Sequence, residues 1–299
     1  MRLVVFGTNN PTGCSFLRLS NSISTEVWGR KVQSAGGIKH VFCDLSQDLV
    51  EPLPKLDGVL VSFAPIWLLA PFLQRLSTKQ PQVIKDLLGV IACSSSSYMT
   101  KRFAFNRKDL ELASKLNQAH QILDEVCTYV GIPLQILAPT LVYGNVGAYK
   151  DRNINKLVEI MRASPALFLP NRTGLRQPIH AGQLAGVAFH QAKKILGSNW
   201  KANEESVITL GGDEILSYEE MLQKVQMSLS SEDRGKNCRI IKVPDEVFYT
   251  LSAPLLPLNP KLFEAVMRIK SNLSGFTKAH AVTSAIPQCF PVLSHGTEE

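Results

Sequence analysis

The stretch Leu3-Val4-Val5-Phe6-Gly7-Thr8-Asn9-Asn10-Pro11-Thr12-Gly13 decides how the rest of this 299-residue chain is read. Four apolar residues closed by a glycine spell a short buried strand over residues 3–6, and the next six residues are turn formers. A helix is expected to start at Cys14 and run to Leu19. In a strand–turn–helix of this kind, backbone amides and the positive end of a helix can meet an anion. Gly7 and Gly13 hold the first and third places of a G-x-x-G-x-x-G spacing, and Asn10 holds the second. Asparagine tolerates left-handed backbone better than most residues, so the turn is expected to survive with Asn10 in that conformation.

Outward from this turn, strand-like runs recur at residues 26–28, 38–42, 58–63, 89–93 and 133–138, with helical stretches chiefly at 67–76 and 109–130. Strands alternating with helices predict βαβ units and a parallel sheet. Runs such as Val59-Leu60-Val61-Ser62-Phe63-Ala64 are apolar almost throughout, as strands covered on both faces should be. The expected fold is α/β, a Rossmann-type doubly wound parallel sheet with a small C-terminal α/β substrate lobe. Residues 1–165 form the dinucleotide-binding domain in this reading, and 166–299 a lobe interleaved with it. Within the lobe, a Pro/Gly-containing link over 165–178 leads to a helix at 182–196 and a strand at 207–210. Ser217 and Glu220 fit a capping box that opens a further helix. The apolar stretch 248–258 reads either as the core of the lobe or as a lid over a hydrophobic substrate tail.

Composition narrows the function. The net charge of +7 is scattered singly or in pairs rather than gathered into a patch, which suits a small anionic ligand better than a nucleic acid. Six cysteines without C-x-x-C spacing point to neither a zinc site nor a disulfide framework. His180 and His190 lie too far apart for a helical metal pair, so both are read as structural and no metal is expected. The longest uncharged apolar run, residues 58–73, falls short of the ~20 residues that cross a bilayer, so no membrane span is expected. A strand at the very start leaves no signal peptide, and the cytoplasm is the expected location.

In a parallel sheet, ligands bind at the carboxyl ends of the strands. Asp44-Leu45, Ser62-Phe63-Ala64-Pro65 and Ser94-Ser95-Ser96-Ser97 all fall there, on the rim that carries Gly7. The Asp44 carboxylate can accept from an adenine amino group. Arg30 and Lys31 follow the second strand, where an NAD site usually has an acid on the ribose. Two bases there favour NADP(H) over NAD(H), unless they are a solvated turn.

With these residues in hand, the chain resembles the extended short-chain dehydrogenase/reductase superfamily, in its NAD-dependent epimerase/dehydratase branch, from residue 1 to about 200 and more thinly to about 291. The resemblance implies cofactor contacts from Gly7, Thr8, Asn10, Gly13, Asp44, Leu45, Ala64, Ser94 and Pro139. Ala138-Pro139-Thr140-Leu141-Val142-Tyr143-Gly144 is similar to the family's R-P-x-x-x-Y-G, with Ala138 for the arginine, and implies a substrate contact at Tyr143. Gly174-Leu175-Arg176-Gln177-Pro178-Ile179-His180-Ala181 resembles G-x-R-D-x-x-H-V, whose arginine contacts a nucleotide diphosphate, and so implies that role for Arg176. Gln177 and Gln183 stand where the family has aspartates.

The family's catalytic Y-x-x-x-K is broken. Lys115 fits the lysine, which also holds the nicotinamide ribose, but Glu111 stands in the tyrosine's place. The i, i+4 spacing makes Glu111 either half of a surface ion pair or the proton-transfer group. Ser95 or Ser96 would orient a substrate oxygen, and Tyr98 is a second candidate acid and substrate contact. The resulting expectation is an atypical NAD(P)-dependent oxidoreductase or epimerase acting, as a homodimer in one version, on a nucleotide-linked sugar or similar anionic substrate. The alternative is a catalytically decayed NAD(P)-binding regulator or scaffold.

Overall fold

A strand with no polar side must be covered on both faces, and the first strand is covered so. The computed structural model describes residues 2–31, 38–48, 52–200 and 204–292, apart from the side chains of Leu255 and Lys261. Eight parallel strands form its main sheet: β1 (Arg2–Phe6), β2 (Ser24–Gly29), β3 (Lys39–Phe42), β4 (Gly58–Ser62), β5 (Leu87–Cys93), β6 (Leu134–Pro139), β7 (Val207–Gly211) and β8 (Thr277–Lys278). Their spatial order is β8-β7-β6-β5-β4-β1-β2-β3. The chain therefore leaves β1 toward β2 and β3 on one side, then crosses back to build outward from β4 on the other. This reversal between β1 and β4 opens a crevice at their carboxyl ends.

Helices cover both faces. Leu3 and Val5 pack with Val59, Val61, Phe16 and Leu184 beneath α1 (Pro11–Leu19) and α4 (Ala181–Leu196). Val4 and Phe6 point the other way, onto Leu60, Leu73, Leu116 and Leu123 beneath α2 (Ile66–Lys79) and α3 (Arg107–Val130). Each of these side chains contributes roughly 1.5–3 kcal/mol on burial, which is why the strands are apolar on both faces.

The later chain is tied into the same sheet, since β7 pairs with β6, and β8 with β7. The stretch read as a link over 165–178 instead holds two short strands. Ala166–Pro170 pairs with Arg239–Val243, and Leu175–Arg176 with Leu216–Ser217. Partners 40 or more positions away gave no local signal. The capping box is present: Ser217 N donates to Glu220 Oε2 (2.7 Å) and Glu220 N to Ser217 Oγ (3.1 Å). The apolar stretch 248–258 is not the lobe's core. Phe248 is buried, but Leu251 is 61% and Leu258 81% exposed. The core of that region is built from Tyr143, Met161, Leu169, Met221 and Leu222.

Candidate functional site

The turn after β1 is closed as tightly as a backbone allows. Gly7 has φ +72°, and a Cβ there would collide with Ala64 N in the loop after β4. A Cβ on Gly13 would lie 2.6 Å from Gly7 O and 2.7 Å from Thr8 Cα. Only glycine fits at either position, which gives the tight turn and the close helix–strand packing that the first and third glycines of a dinucleotide-binding turn provide.

Asn10 departs from expectation. Its backbone is extended (φ −153°, ψ 165°), and the left-handed residue is Gly7. Asn10 is instead the N-cap of α1. Its Nδ2 donates to Gly7 O (2.7 Å) and its Oδ1 accepts from Gly13 N (2.9 Å), so one side chain bridges both glycines. This has a cost for anion binding. Pro11, the first residue of α1, has no N–H, and the Gly13 amide is already taken, as is that of Cys14 by Asn10 O. Among the described residues, the Thr12 amide is the one donor of the first turn without a partner. The residues thus fit a dinucleotide in shape, with fewer donors than an open helix end offers.

Elsewhere on the rim, Arg30 and Lys31 are exposed just beyond β2. Asp44 Oδ1 accepts from Ser46 Oγ (2.7 Å) and Ser46 N (3.0 Å). Those bonds, with Arg30 nearby, hold its carboxyl below the usual range. Leu45 is a core residue whose carbonyl accepts from Arg75 (2.8 Å). Pro139 O accepts from Ser96 N (2.9 Å), and Leu137 O from Ser94 N (2.7 Å), which pins the serine run over the ends of β5 and β6.

That run contains a pair the sequence reading missed. Ser94 Oγ lies 2.7 Å from Nε2 of buried His120 on α3, and the Tyr98 ring packs on the imidazole at 4.8 Å. Burial pushes His120 down to about 4, so the ring is neutral near pH 7. A signal existed, because His120 sits on the apolar stripe of α3 with Ala113, Leu116 and Leu123. Ser95 Oγ accepts from Ser97 N (3.2 Å) and donates to Ser97 Oγ (3.1 Å). Burial raises the Tyr98 phenol, which makes it a poorer acid. Glu111 and Lys115 lie on the exposed side of α3, but the ion pair is a different one. Arg107 Nε holds Glu111 Oε1 at 2.8 Å, and Lys115 has no ion pair or hydrogen bond among the described residues.

Two residues assigned to substrate by resemblance are occupied in the fold. Arg176 is buried, and its guanidinium donates to the carbonyls of Leu175 (2.8 Å), Ser271 (2.5 Å) and Arg268 (2.5 Å) while lying over the Tyr218 ring. It fastens residues 268–271 to the lobe and is not presented to a diphosphate. Tyr143 is buried against His180 and Phe290, and its hydroxyl accepts from Val292 N (2.9 Å). It holds the C-terminal segment rather than a substrate. The glutamines that replace aspartates also bind internally: Gln177 bridges Gly212 O and Phe276, and Gln183 joins the His180 amide to Asp213. His180 caps α4, its Nδ1 accepting from Gly182 N.

Across from the serine run, Asp109 at the start of α3 is paired with Lys101 (2.8 Å) and Arg268 (2.9 Å), which lowers its carboxyl to about 2 despite burial. Glu264 accepts from the Asn106 backbone N–H (3.1 Å) and side chain, and pairs with Arg268. This network seats the helix Pro260–Met267 on the N-terminal end of α3.

The strand order, the glycine cradle at its reversal and the helices on both faces define a doubly wound dinucleotide-type α/β fold. Solved structures place it further. A UDP-glucuronic acid 4-epimerase from Bacillus cereus in complex with NAD superposes with TM-score 0.62 at 16% identity, covering 97% of this chain and 94% of that one. MoeE5 in complex with UDP-glucose and NAD gives 0.59 at 15% identity over 97% and 94%. A nucleoside-diphosphate-sugar epimerase from Staphylococcus aureus gives 0.57 at 14% over 97% and 98%. No protein-family model matches the chain, and no curated protein matches it by sequence. The fold is that of the NAD-dependent nucleotide-sugar epimerases and dehydratases.

Proposed function

We propose that the protein is a nicotinamide-dinucleotide-dependent oxidoreductase of the epimerase or dehydratase type, acting on a nucleotide-linked sugar or a similar anionic substrate. The observation that carries this reading is the cradle at the strand-order reversal, where the Gly7 turn and Ala64 meet without room for a Cβ. The pyrophosphate would lie on Gly7, Thr8 and Gly13, with the Thr12 amide as donor. Arg30, with Lys31 behind it, would take a 2′-phosphate, which favours NADP(H). When bound, the nicotinamide would supply hydride transfer to or from a sugar carbon.

The chain's own groups do the rest. Lys115, uncommitted on α3, would hold the nicotinamide ribose, and Ser95 or Ser96 would orient the reacting oxygen. Glu111 would move the proton once released from Arg107, a carboxylate standing where the family has a tyrosine. Residues 166–292 would supply the substrate wall, and a homodimer is part of the proposal.

The test is calorimetric titration with NADPH and NADH, followed by single-turnover absorbance at the nicotinamide band with a panel of nucleotide sugars. The reading expects binding, tighter for NADPH, and turnover that Glu111→Gln abolishes while binding is kept. No binding of either dinucleotide sinks the whole reading. Binding without turnover across the panel removes the enzymatic part alone.

A further inference from the structure

One cluster of exposed large hydrophobic side chains lies where the loop before α3 meets residues 256–267. The loop Lys101-Arg102-Phe103-Ala104-Phe105-Asn106-Arg107-Lys108 alternates between outside and inside. Ala104 and Asn106 are buried, whereas Phe103 is 81% and Phe105 100% exposed. The loop cannot fold its rings away. Ala104 N donates to Lys101 O, Asn106 caps α3, and the Asn106 N–H is held by Glu264. A groove of about 640 Å³ runs from these two rings to Leu256, Pro260, Phe263 and Met267. Beside it Leu256, Leu258 and Leu262 are also exposed. An exposed apolar cluster rimmed by charge marks an interaction surface.

The rim is basic. Asp109 and Glu264 are consumed by Lys101, Arg268 and Asn106, and Glu111 by Arg107. Arg102 lies over the Phe103 ring at 4.7 Å, and neither it nor Lys108 has a carboxylate partner among the described residues. We propose that this face docks on the surface of an anionic lipid bilayer. Phe103, Phe105 and the neighbouring leucines would enter the headgroup–acyl boundary, with Arg102 and Lys108 on lipid phosphates and carboxylates. Rings and aliphatic side chains flanked by cations are the composition that lies in such an interface. The other occupants fit less well. A second copy on a twofold axis would bring the same unpaired cations face to face. Single-stranded nucleic acid could stack on the two rings but has no use for the exposed leucines.

The experiment is flotation of the full chain with phosphatidylcholine vesicles, with and without phosphatidylserine, alongside gel filtration. The parent should float with the phosphatidylserine vesicles and roughly tenfold less with phosphatidylcholine alone. A Phe103→Ser, Phe105→Ser double variant should lose roughly tenfold in affinity at unchanged melting temperature, since neither ring is packed. Arg102→Glu with Lys108→Glu, which keeps both rings, should lose the preference for phosphatidylserine. Absence of binding to phosphatidylserine vesicles, or binding undiminished in the phenylalanine variant, overturns the proposal. So does a parent dimer that the phenylalanine variant splits, or oligonucleotide binding that the same variant abolishes while vesicle binding persists.

Discussion

Asn10→Gly should move stability and dinucleotide affinity in opposite directions. The asparagine side chain makes three bonds, to Gly7 O at 2.7 Å, to Phe63 O at 3.4 Å and from Gly13 N at 2.9 Å. Glycine as N-cap costs only a few tenths of a kcal/mol relative to asparagine, but the Gly7 bond adds about 1 kcal/mol, and the flexible residue adds unfolded-state entropy. The expected loss is roughly 1–2 kcal/mol, or a melting temperature lower by about 2–8 °C for a chain of this size. The same change frees the Gly13 amide to face a phosphate. A hydrogen bond to a charged group contributes roughly 1.5–3 kcal/mol, so NADPH should bind at least tenfold more tightly. Asn10→Asp is the control. It keeps an acceptor for Gly13 N, loses the donor to Gly7 O, and sets a carboxylate beside the phosphates, so it should bind more weakly than the parent. Thermal melts and calorimetric titration of the three proteins read both quantities. If Asn10→Gly melts lower as expected and binds no better, the cap does not compete with the cofactor, and the account of α1 as a half-closed anion site is refuted.

Two further outcomes follow from buried polar groups. His120 titrates near 4 in the fold against about 6.5 for a free histidine, so the unfolded chain takes up its proton first as the pH falls. Its contribution is complete above pH 6.5, falls between 6.5 and 4, and amounts to at most about 3 kcal/mol; urea midpoints across that window should show the slope, and His120→Gln should lack it. Arg176→Lys replaces two guanidinium nitrogens, which reach Leu175 O, Ser271 O and Arg268 O from separate points, by one nitrogen without that fork geometry, and should lower stability by roughly 2–4 kcal/mol, again read by urea midpoint. Dinucleotide affinity should not change, and a selective loss of nucleotide-sugar affinity in a fully stable variant would return Arg176 to the substrate.

The parts of this molecule legible in the sequence are those set by neighbours along the chain. Continuous apolar runs such as Val59–Val61 announced strands covered on both faces, and Gly7 with Gly13 announced the turn between β1 and α1. The capping box at Ser217 and Glu220 is local and was readable as such. What escaped depends on partners far away. Arg176 looked like a ligand group because its carbonyls arrive more than 90 positions later, at Arg268 and Ser271. Tyr143 is claimed by Val292, and Ser94 by His120 in the middle of α3, 26 positions on. Asn10 was legible as a turn residue, but its extended, capping conformation goes with side-chain bonds to Gly7 O, to Phe63 O 53 positions away, and from Gly13 N.

The return of Thr277–Lys278 to the sheet has a consequence for synthesis. β7 is made well before β8, its outer neighbour, and Asp213 waits for the amides of His280 and Gln288. During translation at ~5–20 residues per second, the outer edge of β7 at Leu210 and Gly211 stands unpaired for several seconds, open to other nascent chains on the same message. A ribosome that stalls or terminates before Thr277 would leave Leu210 and Gly211 without their outer partners permanently. Such a product would be sticky rather than merely shortened, and its fate would be set by the chaperones and proteases that find it.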